Sequence, residues 1–74
     1  MIEREIKRNL NKRVILTNER LYIEGADFIL AGAVIRRNGE GFFYQAILQD
    51  LNNSNSVLVC KLEDIKEENY EPKT

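Results

Sequence analysis

A chain of 74 residues has room for one domain, and domains near this size bury only about 60% of the surface that the unfolded chain exposes, which leaves little room for a deep substrate cavity. Apolar residues make up 43% and charged residues 31%, the balance of a folded domain rather than a disordered one, and no apolar run nears the roughly 18 residues that span a bilayer. The net charge of −1 is polarised, with +3 on residues 1–37 and −4 on residues 38–74, an asymmetry that suits a basic arm and an acidic tail and, more plainly, two solvated ends.

The chain opens on an arm, residues 1–11. Ile2, Ile6 and Leu10 recur every four residues and predict one apolar face of a short helix over 2–11, with Glu3 and Lys7 in the favourable i,i+4 order. Ten residues are marginal for an isolated helix, so the stripe needs a surface to lie on. The acids of Met1-Ile2-Glu3-Arg4-Glu5 stand where a signal peptide needs bases and then an apolar run, and a cytoplasmic location is expected. The single cysteine agrees, because small secreted domains pair several.

From Lys12 the pattern turns to strands. Arg13-Val14-Ile15-Leu16 is rich in β-branched residues, and Thr17-Asn18-Glu19 breaks it. Leu21-Tyr22-Ile23 alternates briefly, and Glu24-Gly25-Ala26-Asp27 reads as a turn, giving one long irregular connection over 17–27. A strand is expected from Phe28 to Arg37, with a bulge, bend or close approach at Gly32. Asn38-Gly39 is a hairpin signal of the type I′ kind. Phe42 to Leu51 is the return strand, Asn52-Asn53-Ser54-Asn55 a second turn, Ser56 to Leu62 the next strand, and Glu63-Asp64-Ile65 a short helical turn. Residues 67–74 read as a frayed acidic tail. Short strands joined by tight turns predict a small barrel or sandwich, and closure into a barrel removes exposed edges.

The order of these elements resembles an SH3-like barrel across residues 13–66. Leu30-Ala31-Gly32-Ala33-Val34-Ile35 resembles the strand with a glycine before a hydrophobic pair, and Phe43-Tyr44-Gln45-Ala46-Ile47 the aromatic strand that follows. Val59-Cys60-Lys61-Leu62-Glu63-Asp64-Ile65 resembles the closing strand and its single 3₁₀ turn. The resemblance implies an all-β fold, a small SH3-like five-stranded barrel over residues 12–66, with room for a short N-terminal helix. The chain departs from the signalling members. It has no Ala-Leu-Tyr-Asp-Tyr segment, no tryptophan and no Pro-Ser-Asn-Tyr segment, which puts recognition of proline-rich peptides in doubt. A fainter similarity, in Arg20-Leu21-Tyr22-Ile23-Glu24-Gly25 and Leu30-Ala31-Gly32, is to short domains on mobile elements of Gram-positive bacteria, a group that implies no particular activity. The expected core is Val14, Leu16, Leu21, Ile23, Phe28, Leu30, Val34, Tyr44, Ala46, Leu48, Leu58, Cys60, Leu62 and Ile65.

Little in the chain points to catalysis. There is no histidine, which removes the commonest general base and metal ligand, and one cysteine makes neither a thiol-protease pair nor a zinc site. Cys60 alternates with Leu58 and Leu62, away from Lys61, so it is expected to point inward as an inert thiol. No glycine pattern cradles phosphate, and the acids from Glu63 onward lack the spacing of a calcium loop. No enzymatic activity, cofactor or metal is expected.

The aromatic residues carry more. Side chains of Phe42, Phe43 and Tyr44 must alternate between faces. Tyr44, Ala46 and Leu48 share an apolar face, whereas Phe43, Gln45, Ile47 and Gln49 share a mixed one, as on a partly exposed binding surface. Phe43 falls near the position that resembles the ligand-contacting aromatic of SH3 domains. Cover by the arm or by the 17–27 connection is the plainer account of Phe43 and Ile47. Phe43 and Ile47, together with Tyr22 and the arm residues Ile6 and Leu10, are the candidate partner-binding residues of a small non-catalytic interaction module that docks on another protein or on itself. The alternative is nucleic-acid binding through Arg36, Arg37, Lys12 and Arg13, bases beside aromatics, although a pI of 5.4 is far below that of most nucleic-acid modules.

Overall fold

The structure is a computed structural model that describes residues 1–68. It is mostly β: a five-stranded antiparallel sheet with one short helix. The arm forms a 3₁₀ turn over Glu3–Glu5 and then a single α-helical turn, α1 (Ile6–Asn9). The strands are β1 (Arg13–Asn18), β2 (Ile23–Asn38), β3 (Gly41–Gln49), β4 (Val57–Lys61) and β5 (Ile65–Glu67), in the sheet order β4-β3-β2-β1-β5.

β2 organises the molecule because it changes partners part-way along. Its first half pairs with β1, up to Ile29 opposite Arg13, and its second half with β3, from Ile29 opposite Gln49 to Asn38 opposite Gly41. The expected irregularity at Gly32 is present: the register slips between Leu30 and Gly32, leaving Ala31 as the extra residue of a bulge, which bends a strand and increases its twist. The bend folds the two halves over one core of Val14, Leu16, Leu30, Ala46, Leu48, Cys60 and Ile65. Cys60 lies inside, as its alternation with Leu58 and Leu62 predicts.

Three local expectations need correction. Glu24-Gly25-Ala26-Asp27 is not a turn but part of β2, with Ala26 opposite Leu16 and Asp27 opposite Ile15. Gly25 supplies the composition that reads as a turn, yet its positive φ of 64° forms a bulge whose N–H donates to Thr17 Oγ1 at 3.1 Å. The actual turn is a 3₁₀ segment, Glu19–Leu21, capped by Asn18 Oδ1, which accepts from Leu21 N–H at 3.1 Å. Leu21, expected in the core, is exposed on that turn. In the β2–β3 hairpin the central pair is Gly39-Glu40, and only Gly39 has positive φ. That is the type II′ pattern, with glycine at the first central position.

The arm is not one helix over 2–11. Asn9 Nδ2 donates to Glu5 O at 2.8 Å, and Asn11 at φ 65° ends the helical run. Asn9, only 6% exposed, also donates to Glu67 Oε1 at 2.9 Å. Arg8 adds bonds from Nε at 2.9 Å and Nη2 at 2.6 Å to the same oxygen. Glu67, expected in the tail, is thus the last residue of β5, opposite Val14; residues 69–74 of that tail lie outside the described residues. Among the described residues no helix is long and apolar enough to cross a membrane.

Candidate functional site

β4 ends at Lys61, opposite Gln45 of β3, and the chain then leaves the sheet in a 3₁₀ turn, Leu62–Asp64. Among the described residues, the edge of β3 beyond Gln45 therefore has no strand beside it. The arm approaches the same place from the other side, where the Met1 amino group donates to Leu62 O at 2.9 Å and to Ile65 O at 2.7 Å. Between them lies an open groove of about 780 Å³. Phe43, Tyr44 and Gln45 form its floor, residues 1–4 one wall, and Lys61, Leu62 and Glu63 the other. Because successive strand residues point to opposite faces, a bare strand edge is the place where Phe43 and Tyr44 reach the same groove.

The groove is mainly apolar with a charged rim. Met1, Ile2, Phe43, Tyr44 and Leu62 supply carbon surface, and Phe43 stays 37% exposed. Glu3 and Arg4 stand on one rim, and Lys61, 3.7 Å from Glu63, on the other.

Of the five partner-binding residues expected from sequence, the structure brings only Phe43 into this groove. Ile47 lies on the same face of β3 but further along, in a cross-strand row with Gly32 and Val59. Ile6 is turned inward against the core, whereas Leu10 is exposed on the arm. Tyr22 is 96% exposed and held at φ 55°, left-handed, at the end of the β1–β2 turn, an uncommon conformation for a bulky residue. Met1, Ile2, Tyr44 and Leu62 were not expected at a site. Ile2 belongs to the arm's apolar stripe, but the other three meet only through tertiary packing.

The four bases of the nucleic-acid alternative do not converge. Arg36 and Arg37 are consecutive on β2, so they point to opposite faces, and Arg36 Nη1 donates to Gln45 Oε1 at 3.3 Å. Arg13 lies across from Ile29, roughly 23 Å along β2 from Arg36 at a strand's rise per residue. Arg13 is 3.7 Å from Glu68, and both border a depression with Lys12 and Glu67.

The Cys60 thiol and the Glu67 carboxyl have displaced proton affinities. Burial, and after it the Asp64 carboxylate, push the Cys60 thiol up to about 11, so it is protonated at neutral pH and a poor nucleophile. Hydrogen bonds from Asn9 and then Arg8 hold the Glu67 carboxyl below its ordinary value. Both groups serve packing and the attachment of the arm. Among the described residues, no three acidic or cysteine side chains gather to hold a metal ion.

No protein-family model, curated protein or solved structure matches the chain.

Proposed function

We propose that the chain is a small non-catalytic protein-interaction module built on an SH3-like barrel. The sheet order, the long β2 shared by both halves and the 3₁₀ turn before β5 support the SH3-like reading. The observation that carries the function is the apolar groove over the bare end of β3, where Phe43 and Tyr44 lie between the arm and Leu62. An open, largely carbon-lined groove on so small a domain is a surface for a partner. The absence of histidine from the sequence and the protonated, buried Cys60 favour binding over catalysis. A proline-rich ligand is not expected, because the chain has no tryptophan to line such a groove.

The test places a photo-crosslinking residue at position 43, and a control at Glu24, in cells of the native host. Adducts with another protein or with a second copy at 43, absent at 24 and lost in Ile2→Ser plus Tyr44→Ser, are the expected result. Equal labelling at both positions, with a monomer by light scattering at every concentration, overturns the reading.

A further inference from the structure

β2 has a backbone edge that no described segment occupies. β1 runs beside it only as far as Ile29, and the last bonds from that side join Asn11 N–H to Leu30 O at 2.8 Å and Leu30 N–H to Lys12 O at 2.9 Å. Beyond Leu30, β2 is paired with β3 alone. Residues along an antiparallel ladder alternate between bonding to the partner strand and pointing away from it. Counted back from the Asn38–Gly41 pair that closes the two-residue turn, Arg36, Val34 and Gly32 bond to β3. The N–H and C=O groups of Ala33, Ile35 and Arg37 therefore face outward. This edge contains no proline, and Ile35 beside it is 61% exposed; a bare extended edge with apolar side chains is a template for an added strand.

Charge selects the occupant. Lys12 and Arg13 stand at one end of the edge, and Arg36 and Arg37 at the other. The acids nearby are Glu68, 3.7 Å from Arg13, Glu67 in the same depression, and Glu40 in the turn. Glu67 is already held by Arg8 and Asn9, so four bases face three acids, one of which is engaged elsewhere. A second copy pairing antiparallel through the same edge brings its Arg36 and Arg37 onto Lys12 and Arg13, a like-charge contact. A second copy offering the acidic stretch with Glu24 and Asp27 offers a strand interrupted by the bulge at Gly25. A nucleic acid has no peptide groups to exchange with the edge. We propose that the β2 edge over residues 31–38 accepts an extended acidic segment of another protein as an added strand. Its backbone bonds to Ala33, Ile35 and Arg37, and its carboxylates meet the bases at both ends. The inference rests on the reading of the chain as an interaction module but uses a surface separate from the Phe43 groove.

The test is an NMR titration of the full chain with three probes: an eight-residue peptide alternating glutamate and valine, the same peptide with lysine for glutamate, and a single-stranded thymidine oligonucleotide. The glutamate peptide is expected to shift the Ala33, Ile35 and Arg37 amides and slow their solvent exchange, with at least tenfold preference over the lysine peptide. Ile35→Pro, which removes one outward donor and no bond to β3, abolishes these shifts. Should Ile35→Pro fail to fold, the double variant Arg36→Glu plus Arg37→Glu decides, and it must lose the tenfold preference. The inference is overturned if none of the probes shifts the edge amides, or if Ile35→Pro folds and binds as the parent does. It is equally overturned if the oligonucleotide alone shifts them, or if they shift with protein concentration alone, the mark of a second copy. Shifts confined to Phe43, Tyr44 and Leu62 overturn the edge and leave the groove; edge shifts with no crosslinking at 43 do the reverse.

Discussion

The two halves of β2 use the same kind of residues to different ends. In the first half, Phe28 and Leu30 pack on a core closed by β1 and β5, and the arm is tied across it through Asn9, Arg8 and Glu67. In the second half, Ile35 and, on the neighbouring β3, Phe42 and Phe43 are as apolar, yet Phe42 is 71% exposed. The difference is the number of neighbours the sheet provides. Among the described residues, beyond Gln45 on one side and Leu30 on the other, β2 and β3 pair only with each other, and a two-stranded ribbon buries little by itself. Hydrophobicity of the sequence therefore says less about burial here than strand position does.

The contrast is broken most severely at the core. Leu48→Ala is expected to cost about 2–5 kcal/mol, against less than about 0.5 kcal/mol for Phe42→Ala on the ribbon, both read from urea midpoints. Similar losses at the two positions would mean that the ribbon is as well packed as the core. Next comes Asn9→Ala, expected to cost about 1–2 kcal/mol, because the buried side chain loses its bonds to Glu5 O and Glu67 Oε1. No change would mean that the arm is not held through Asn9.

The attachment of the arm also sharpens the comparison through pH. The Glu67 carboxyl is lowered in the folded state, so the unfolded chain takes up its proton first as the pH falls. The stabilisation is present above the ordinary carboxylate value, near about 4.3, and is lost as the pH drops through the lowered folded value. Glu67→Gln is expected to flatten the acid limb of the stability curve, and an unchanged limb would mean that this carboxylate does not hold the arm. Cys60 acts at the other end of the scale. Its raised value means that stability is full below about 9, its ordinary value, and is lost as the pH rises through about 11. A thiol reagent at pH 7.5 is expected to label the native chain far more slowly than the chain in urea; equal rates would place the thiol outside.

The smallest effect is at the turn between the halves of the first hairpin. Left-handed backbone costs a side-chain-bearing residue roughly 1–2 kcal/mol, partly offset by the added chain entropy of glycine. Tyr22→Gly is therefore expected to raise stability by about 0.5–1 kcal/mol, and a loss would show that the ring has a contact worth more than the strain.

Much of the scaffold is legible in the residues themselves. Alternation places Ala46, Leu48, Leu58 and Cys60 inside, and Gly32 marks the bend. What misleads is composition without partners. Glu24-Gly25-Ala26-Asp27 has the residues of a turn, but whether a glycine at positive φ ends a strand or bulges it depends on its partners Leu16 and Thr17 on β1, which the local pattern does not show. Ile65-Lys66-Glu67 is too short and too charged to announce a strand, and it becomes one because β1 offers an edge. At the groove, alternation separates Phe43 from Tyr44 and marks Phe43 as a candidate. Leu62 and Met1 meet that strand only once the chain has folded, and no local pattern links them.

The sharing of β2 also orders events in time. β2 and β3 are joined by a two-residue turn, and hairpins of this kind close in about 1–10 μs. β5 must find β1 from across most of the chain, with Ile65 opposite Leu16, and contacts of such separation form late because the intervening loop has to be closed first. As the chain folds, the part that ends up least covered is thus the part expected to take shape first, and β1 and β5 assemble on a strand already bent at Ala31.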